Sequence, residues 1–136
     1  MAELKLPPQN KDAEKSILGA ILINEDAMFK VAESLNPTHF YDKNHQIIFE
    51  AMLELYSHQK PIDVLTLSSE LRSKKQLKDI GGSNYLSDLV ESVPTAAHVE
   101  EYSQMIVALA QRRRLISLAS EIDELAHKQD RELDLV

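Results

Sequence analysis

The sequence has no cysteine, no tryptophan and only three glycines among its 136 residues. The lack of cysteine excludes disulfide bonds, thiolate zinc sites, iron–sulfur clusters and cysteine nucleophiles. The glycines, at positions 19, 81 and 82, do not form the G-x-x-x-x-G-K-[ST] loop whose amides wrap nucleotide phosphates. An ATPase of the phosphate-loop class is therefore excluded within these residues.

Long apolar runs and an excess of positive charge are also missing. The longest apolar run, residues 17–23, is far shorter than the roughly 18 residues that a membrane helix requires. The first residues lack the apolar core of a secretory signal, so we expect a cytoplasmic protein. Fifteen Lys and Arg against twenty-two Asp and Glu give a net charge of −7, which repels a phosphate backbone. Nucleic acid and membrane are not expected as partners.

The helical spacing of the apolar residues predicts an all-α fold, since strand-like alternation is hard to find. We expect a small orthogonal bundle of five to six short helices in residues 1–94, which we call the head. Residues 95–136 are expected to form a long helix and the beginning of a further helix. The inward face of the third helix is predicted to carry Ile48, Met52, Leu55 and Tyr56. Pro37 is expected to stop the second helix, and Gly81-Gly82 to provide a left-handed stop before the fifth. The predicted N-caps of the short helices are Asn10, Asn24, Asp42, Asp63 and Ser83.

The segment after Pro94 differs from the rest. From Thr95, a predicted N-cap, to about Gln129 there is no glycine or proline, which allows one helix of roughly 33 residues and about 50 Å. Its first part carries apolar residues at 3-4-3 spacing, a seam that would pack on the head or on a partner helix. These residues are Val99, Tyr102, Ile106 and Leu109. Its second part carries an apolar stripe beyond the reach of so small a head, formed by Leu115, Leu118, Ala119, Ile122 and Leu125. An apolar stripe on a projecting helix indicates a binding site for another protein.

No catalytic, cofactor-binding or metal-binding residues are predicted. Glu124 and His127 form one E-x-x-H pair, but di-iron bundles need a second copy, so a solvated helix face is the preferred interpretation. Asp42 and His45 have the spacing of an acid/base pair, although helix capping accounts for them more simply. A small helical enzyme is the weakest interpretation, and a stoichiometric bound transition metal would support it.

Arg112, Arg113 and Arg114 form the only run of three consecutive basic residues. An alternative function follows from it, a helical module that contacts single-stranded DNA through these three arginines. This alternative predicts a measurable affinity for single-stranded DNA that falls steeply as the salt concentration rises. A solvated helix face, or ion pairing with an acidic protein surface, is favoured because one short run without interleaved aromatics does not offset the net negative charge.

An ordered set of short segments runs from about residue 6 to about residue 125. It comprises Leu6-Pro-Pro-Gln-Asn10, Ala13-Glu14, Ile17-Leu-Gly-Ala-Ile21, His39-Phe-Tyr41, His45, Ile48-Phe49, Ala51-Met-Leu53, Pro61-Ile-Asp63, Thr66-Leu67, Ile80-Gly-Gly82, Tyr85-Leu86, Val93-Pro-Thr-Ala-Ala97, Glu101-Tyr102 and Arg113-Arg-Leu-Ile116. No single segment is diagnostic, but in this order they resemble the N-terminal domain of bacterial replicative DNA helicases, the DnaB family.

The resemblance implies a non-catalytic collar domain, in which a helical head and a helical hairpin precede a RecA-like motor. In that family the motor uses ATP and Mg²⁺ to unwind DNA as a hexamer. The N-terminal domains pair through their hairpins into a trimer of dimers and dock the C-terminal domain of primase, and loader proteins are further partners. The long helix would be the first hairpin arm, residues 130–136 would open the second, and the chain would be an excised fragment that binds no cofactor itself.

The resemblance also implies contact residues. The docking surface of the family corresponds here to Tyr85 on the head and to Ile116 and Ile122 on the long helix, which are the expected primase contacts. For all three, burial in the chain's own core is the competing interpretation. The expected subunit-pairing contacts are Leu115, Leu118 and Leu125.

Overall fold

The computed structural model describes residues 5–93 and 97–128 of the chain, and these residues contain six α-helices, one 3-10 turn and no strand. The all-α prediction is confirmed. The 3-10 turn, Pro37–His39, lies between the second and third helices. The helices are α1 (Lys11–Ile23), α2 (Asp26–Val31), α3 (Lys43–Ser57), α4 (Val64–Ser73), α5 (Gly82–Glu91) and α6 (Val99–His127).

Four of the predicted caps accept backbone N–H groups in the first turn of a helix. The side chains of Asn10, Asp42 and Asp63 do so at 3.0, 2.8 and 2.8 Å, at the starts of α1, α3 and α4. Asn24 accepts from the N–H of Asp26 at 3.0 Å, although the residue at the N-cap position of α2 is Glu25. Each bond satisfies an amide that the helix itself leaves without a partner.

Other predicted helix ends were wrong. Ser83 is not the N-cap of α5, because the left-handed backbone of Gly81 (φ 104°) redirects the chain two residues earlier. Pro37 does not stop α2, which has already ended at Val31 in a turn that brings Leu35 into the core. The predicted cap Thr95, the boundary at residue 94, the end at Gln129 and the second-arm residues 130–136 lie outside the described residues.

The core of the head forms where α1, α3, α4 and α5 meet. The rings of Phe40 and Phe49 lie 5.1 Å apart at its centre, and both are fully buried. Ile48, Met52 and Leu55 on α3 face this core, as predicted. Tyr56 does not; it is 37% exposed and lies at the surface of the head, because it occupies the last turn of α3 beside the cleft formed with α2.

Gly19 allows α1 and α5 to approach each other closely. A Cβ atom at this position would overlap the carbonyl oxygen of Leu89 and Cγ2 of Val93. Since a helix backbone cannot give way as a flexible side chain can, only glycine fits here. This close approach holds α5 directly against α1.

The first half of α6 belongs to the head, because it packs against α1, α2 and the 3-10 turn. Val99 and Ile106 of the predicted seam are buried there, and Tyr102 and Leu109 are half-buried. With 29 residues, α6 extends roughly 43 Å. Among the described residues, no helix is long and apolar enough to cross a lipid bilayer.

Candidate functional site

The second half of α6 projects beyond the head. Arg113 is the last residue of α6 that the head partly covers, and residues 114–127 are all exposed. Five of these exposed residues are large and apolar, with Leu115 and Ile122 each 67% exposed; the others are Ile116, Leu118 and Leu125. The expected apolar surface on a projecting helix is therefore present.

These apolar residues occupy two different sides of α6. At about 100° per residue, Leu115, Leu118, Ile122 and Leu125 fall within one narrow arc, which we call the distal stripe. Ile116 lies about 120° away from Ile122 by the same geometry. Ile116 instead continues the line of Leu109 and Arg113, the side of the helix that faces the head. A partner that also touches the head would therefore meet Ile116 first.

Arg113 fixes α6 to the head at the point where the helix leaves it. Its guanidinium donates to the carbonyl oxygens of Pro8 at 2.8 Å and of His39 at 2.9 Å, and it lies 5.5 Å from the ring centre of Tyr41. Only a planar guanidinium can donate in two directions and stack on an aromatic ring at once. Arg113 therefore sets the direction of the projecting half.

This placement bears on the alternative DNA contact. Arg112 and Arg114 are exposed, whereas Arg113 is committed to the chain's own carbonyl groups. A DNA contact through the cluster would have to rely on two arginines on an acidic chain. The alternative stays a prediction, with Arg113 in a different role from the one expected.

Tyr85, the expected contact on the head, is half-buried and joined to the interior. Its hydroxyl lies 2.6 Å from Nε2 of His45, and the two rings are nearly parallel with centres 6.0 Å apart. On the other side of the ring, Nδ1 of His45 lies 2.8 Å from Oε1 of Glu14. Glu14 and His45 are buried, and the carboxylate also accepts the N–H groups of Tyr41 and Asp42, at 2.7 and 3.3 Å.

The chain of contacts Glu14–His45–Tyr85 ties α1, α3 and α5 together. Burial, and then the negative charges of Asp42, Glu14 and Asp88, raise the pKa of Tyr85 to about 12. The hydroxyl therefore keeps its proton at pH values at which an exposed tyrosine loses it. His45 pairs with Glu14, while Asp42 caps α3, so the acid/base pair considered from sequence does not form.

Glu14 was missed as a site residue. A signal was present, because Glu14 occupies the buried face of α1 together with Ile17 and Leu18, where a charged side chain needs a partner. The E-x-x-H pair does not assemble either, since the ring of His127 faces Asp123, with Nδ1 2.8 Å from its carbonyl oxygen. Within residues 5–93 and 97–128 no three metal-ligating side chains come together.

The family model that describes the DnaB-like helicase N-terminal domain matches residues 6–108 of this chain. The chain belongs to this family. The matched span contains the entire head and the first third of α6.

Named relatives of the DnaB family agree with this assignment. The chain is 39% identical to the replicative DNA helicase DnaB of Geobacillus stearothermophilus over 100% of its own length and 31% of that protein. The N-terminal domain of DnaB helicase from Mycobacterium tuberculosis shares its structure with a TM-score of 0.87 and 37% identity, covering 90% of this chain and 87% of that one.

A further solved structure is the N-terminal domain of DnaB helicase from Helicobacter pylori, described together with its interactions with primase. It matches with a TM-score of 0.76 and 26% identity, covering 87% of this chain and 92% of that one. The chain thus corresponds to the N-terminal domain and spans about a third of the length of the curated relative that it matches.

Proposed function

We propose that this chain is the subunit-pairing and primase-docking domain of a hexameric replicative helicase, acting in the collar of the ring at the replication fork in the cytoplasm. The observation that carries the proposal is the exposed apolar surface on the projecting half of α6. The chain's net charge of −7 suits a domain that contacts proteins while another domain binds DNA. ATP and Mg²⁺ would be bound by the motor domain, because no phosphate-binding loop occurs in these residues.

For primase we propose Tyr85, Ile116 and Ile122 as contacts. The ring of Tyr85 is available to a partner, whereas its hydroxyl is committed to His45. Ile116 is 56% exposed on the side of α6 that faces the head, just past the point where Arg113 fixes the helix. The C-terminal domain of primase would therefore bind across the head and the root of the projecting helix.

For subunit pairing we propose Leu115, Leu118 and Leu125, which form the distal stripe together with Ile122. A narrow apolar arc on a straight helix fits the corresponding arc of a second α6. Ile122 lies within this arc, so a substitution there would disturb both contacts. A loader protein is a further proposed partner of the same domain.

The experiment separates the two contacts with three aspartate variants on adjacent positions of α6. Binding of the primase C-terminal domain is measured by calorimetry, and mass in solution by light scattering. Ile116→Asp should weaken primase binding by about 2 kcal/mol, the usual contribution of a buried interface anchor. Leu118→Asp should instead reduce self-association.

Ser117→Asp is the matched control, because it adds the same charge at an exposed position about 100° around α6 from Ile116 and about 100° from Leu118. It should leave both measurements unchanged. Unimpaired primase binding by Ile116→Asp would reject that contact. A chain that stays monomeric and whose mass does not change when primase is added would contradict the proposed function as a whole.

A further inference from the structure

A second exposed apolar surface lies on the head. Its centre is Phe29 on α2, which is 75% exposed, whereas Phe40 and Phe49 are completely buried. Phe29 and Tyr56 together line two adjacent clefts between α2 and the C-terminal end of α3. None of the residues proposed above for primase or subunit contacts lines either cleft. We call this region the Phe29 surface.

The exposure of Phe29 follows from how α2 is seated. The opposite side of this short helix, with Ala27, Met28 and Val31, is buried in the core and against α6. The aromatic ring therefore cannot turn inward without lifting α2 off the head. Apolar side chains that are themselves partly covered by the head, Ala32 and Leu53, line the cleft beside it.

The walls of the clefts are held by hydrogen bonds within the chain. The carboxylate of Glu25 accepts the N–H of Ile62 at 3.0 Å, which ties the loop after α3 to the start of α2. In the same loop, Lys60 donates to the carbonyl oxygen of Leu55 at 2.9 Å. A surface that is already shaped binds a partner with less loss of conformational entropy.

The charges around the Phe29 surface are mainly negative. Glu25, Asp26 and Glu33 line the clefts, against one ammonium group from Lys60. Glu25 is occupied by the loop, but Asp26 and Glu33 are exposed and form no ion pair with any residue in 5–93 or 97–128. Large exposed aromatics beside unpaired charges are typical of protein interfaces.

We propose that the Phe29 surface binds a basic amphipathic segment of another protein. An apolar side chain of that segment packs between Phe29 and Tyr56, while its Lys or Arg side chains pair with Asp26 and Glu33. A second copy of this chain fits this surface less well, because its own Phe29 surface would bring a second Asp26 and Glu33 towards the first pair.

The test is an amide NMR titration of the 136-residue chain with synthetic helical peptides. One peptide combines leucine with lysine, and a matched peptide combines leucine with glutamate. The leucine–lysine peptide should shift the amide signals of α2 and the end of α3, and the leucine–glutamate peptide should not. Phe29→Ala should weaken the binding about tenfold, equivalent to about 1.4 kcal/mol, and Asp26→Lys combined with Glu33→Lys should reverse the peptide preference.

Leu65→Ala is the control, since it removes a similarly exposed apolar side chain from α4 and should leave the titration unchanged. Equal binding of the two peptides, shifts confined to α6, or full binding by Phe29→Ala would overturn the proposal. Shifts around Phe29 that appear with protein concentration alone would assign the surface to a second copy instead.

Discussion

The phenolic oxygen of Tyr85 lies 2.6 Å from Nε2 of His45, so a residue on the surface of α5 is bonded to the interior of the head. Glu14 accepts from Nδ1–H of His45, and Nε2 of the same buried ring is hydrogen-bonded to the tyrosine hydroxyl. Both nitrogens of this imidazole are therefore held by side chains of two other helices. What Tyr85 offers to a partner is its ring.

Two substitutions of Tyr85 should separate its internal role from its external one. Tyr85→Phe keeps the ring but leaves a buried nitrogen of His45 without its hydrogen-bond partner, so we expect the free energy of unfolding to fall by about 1–3 kcal/mol. Primase affinity should stay close to wild type. Tyr85→Ala should additionally lower that affinity by about 2 kcal/mol. Denaturant unfolding and calorimetry measure the two effects, and a loss of affinity in Tyr85→Phe would show that the hydroxyl contacts the partner.

The raised pKa of Tyr85 predicts a loss of stability at high pH. The unfolded chain releases this proton near pH 10, whereas the folded chain holds it to about pH 12. Between these values the folded state binds more protons than the unfolded state. The stability that this hydroxyl contributes is therefore fully present below pH 10 and decreases as the pH rises towards 12. Absorbance titration of tyrosinate should show one late step that is missing in Tyr85→Phe. A titration identical in the two proteins would contradict this prediction.

Arg113 should matter for stability more than the neighbouring arginines do. Arg113→Lys is expected to lower the free energy of unfolding by about 1–3 kcal/mol, since a lysine cannot replace the forked contacts to two carbonyl groups and the stacking on Tyr41. Arg114→Lys, at an exposed position, should change it by less than about 0.5 kcal/mol. Equal effects of the two substitutions in denaturant unfolding would show that Arg113 does not hold the helix.

His39 should lose part of its proton affinity on folding. Burial, and then the charge of Arg113, lower its pKa below the usual 6.5. The unfolded chain therefore takes up this proton first, and the associated stability is complete above pH 6.5 and is lost as the pH falls through the lower value. NMR titration of the imidazole should show a higher pKa for His39 in Arg113→Gln than in the wild-type chain. No change would remove Arg113 as a cause.

Gly19→Ala should destabilise the head although alanine favours helices. Within a helix this replacement normally stabilises by up to about 1 kcal/mol, but here the new methyl group overlaps the backbone of Leu89. We expect a net loss of about 1–3 kcal/mol by thermal or denaturant unfolding. Gly82→Ala is a useful comparison, since open space surrounds that position and only its left-handed backbone (φ 75°) opposes a side chain. A stabilised Gly19→Ala variant would mean that α1 and α5 can separate at little cost.

Local features of the fold could be predicted because their physical causes are local. The caps at Asn10, Asp42 and Asp63 each involve a backbone N–H only two or three residues away. The start of α5 was missed by two residues, since the backbone of Gly81 decides it without any capping side chain.

The sequence by itself determined that the chain is helical, acidic and without phosphate-loop chemistry, and that its last helix is too long for the head to cover. Spacing along the chain is sufficient for these conclusions. Only the tertiary structure decided that Glu14, His45 and Tyr85 meet, because the pairs are 31 and 40 positions apart. It also decided that Arg113 binds Pro8, 105 positions away, and that Phe29 faces outward. Such contacts depend on how helices pack, which no local pattern encodes.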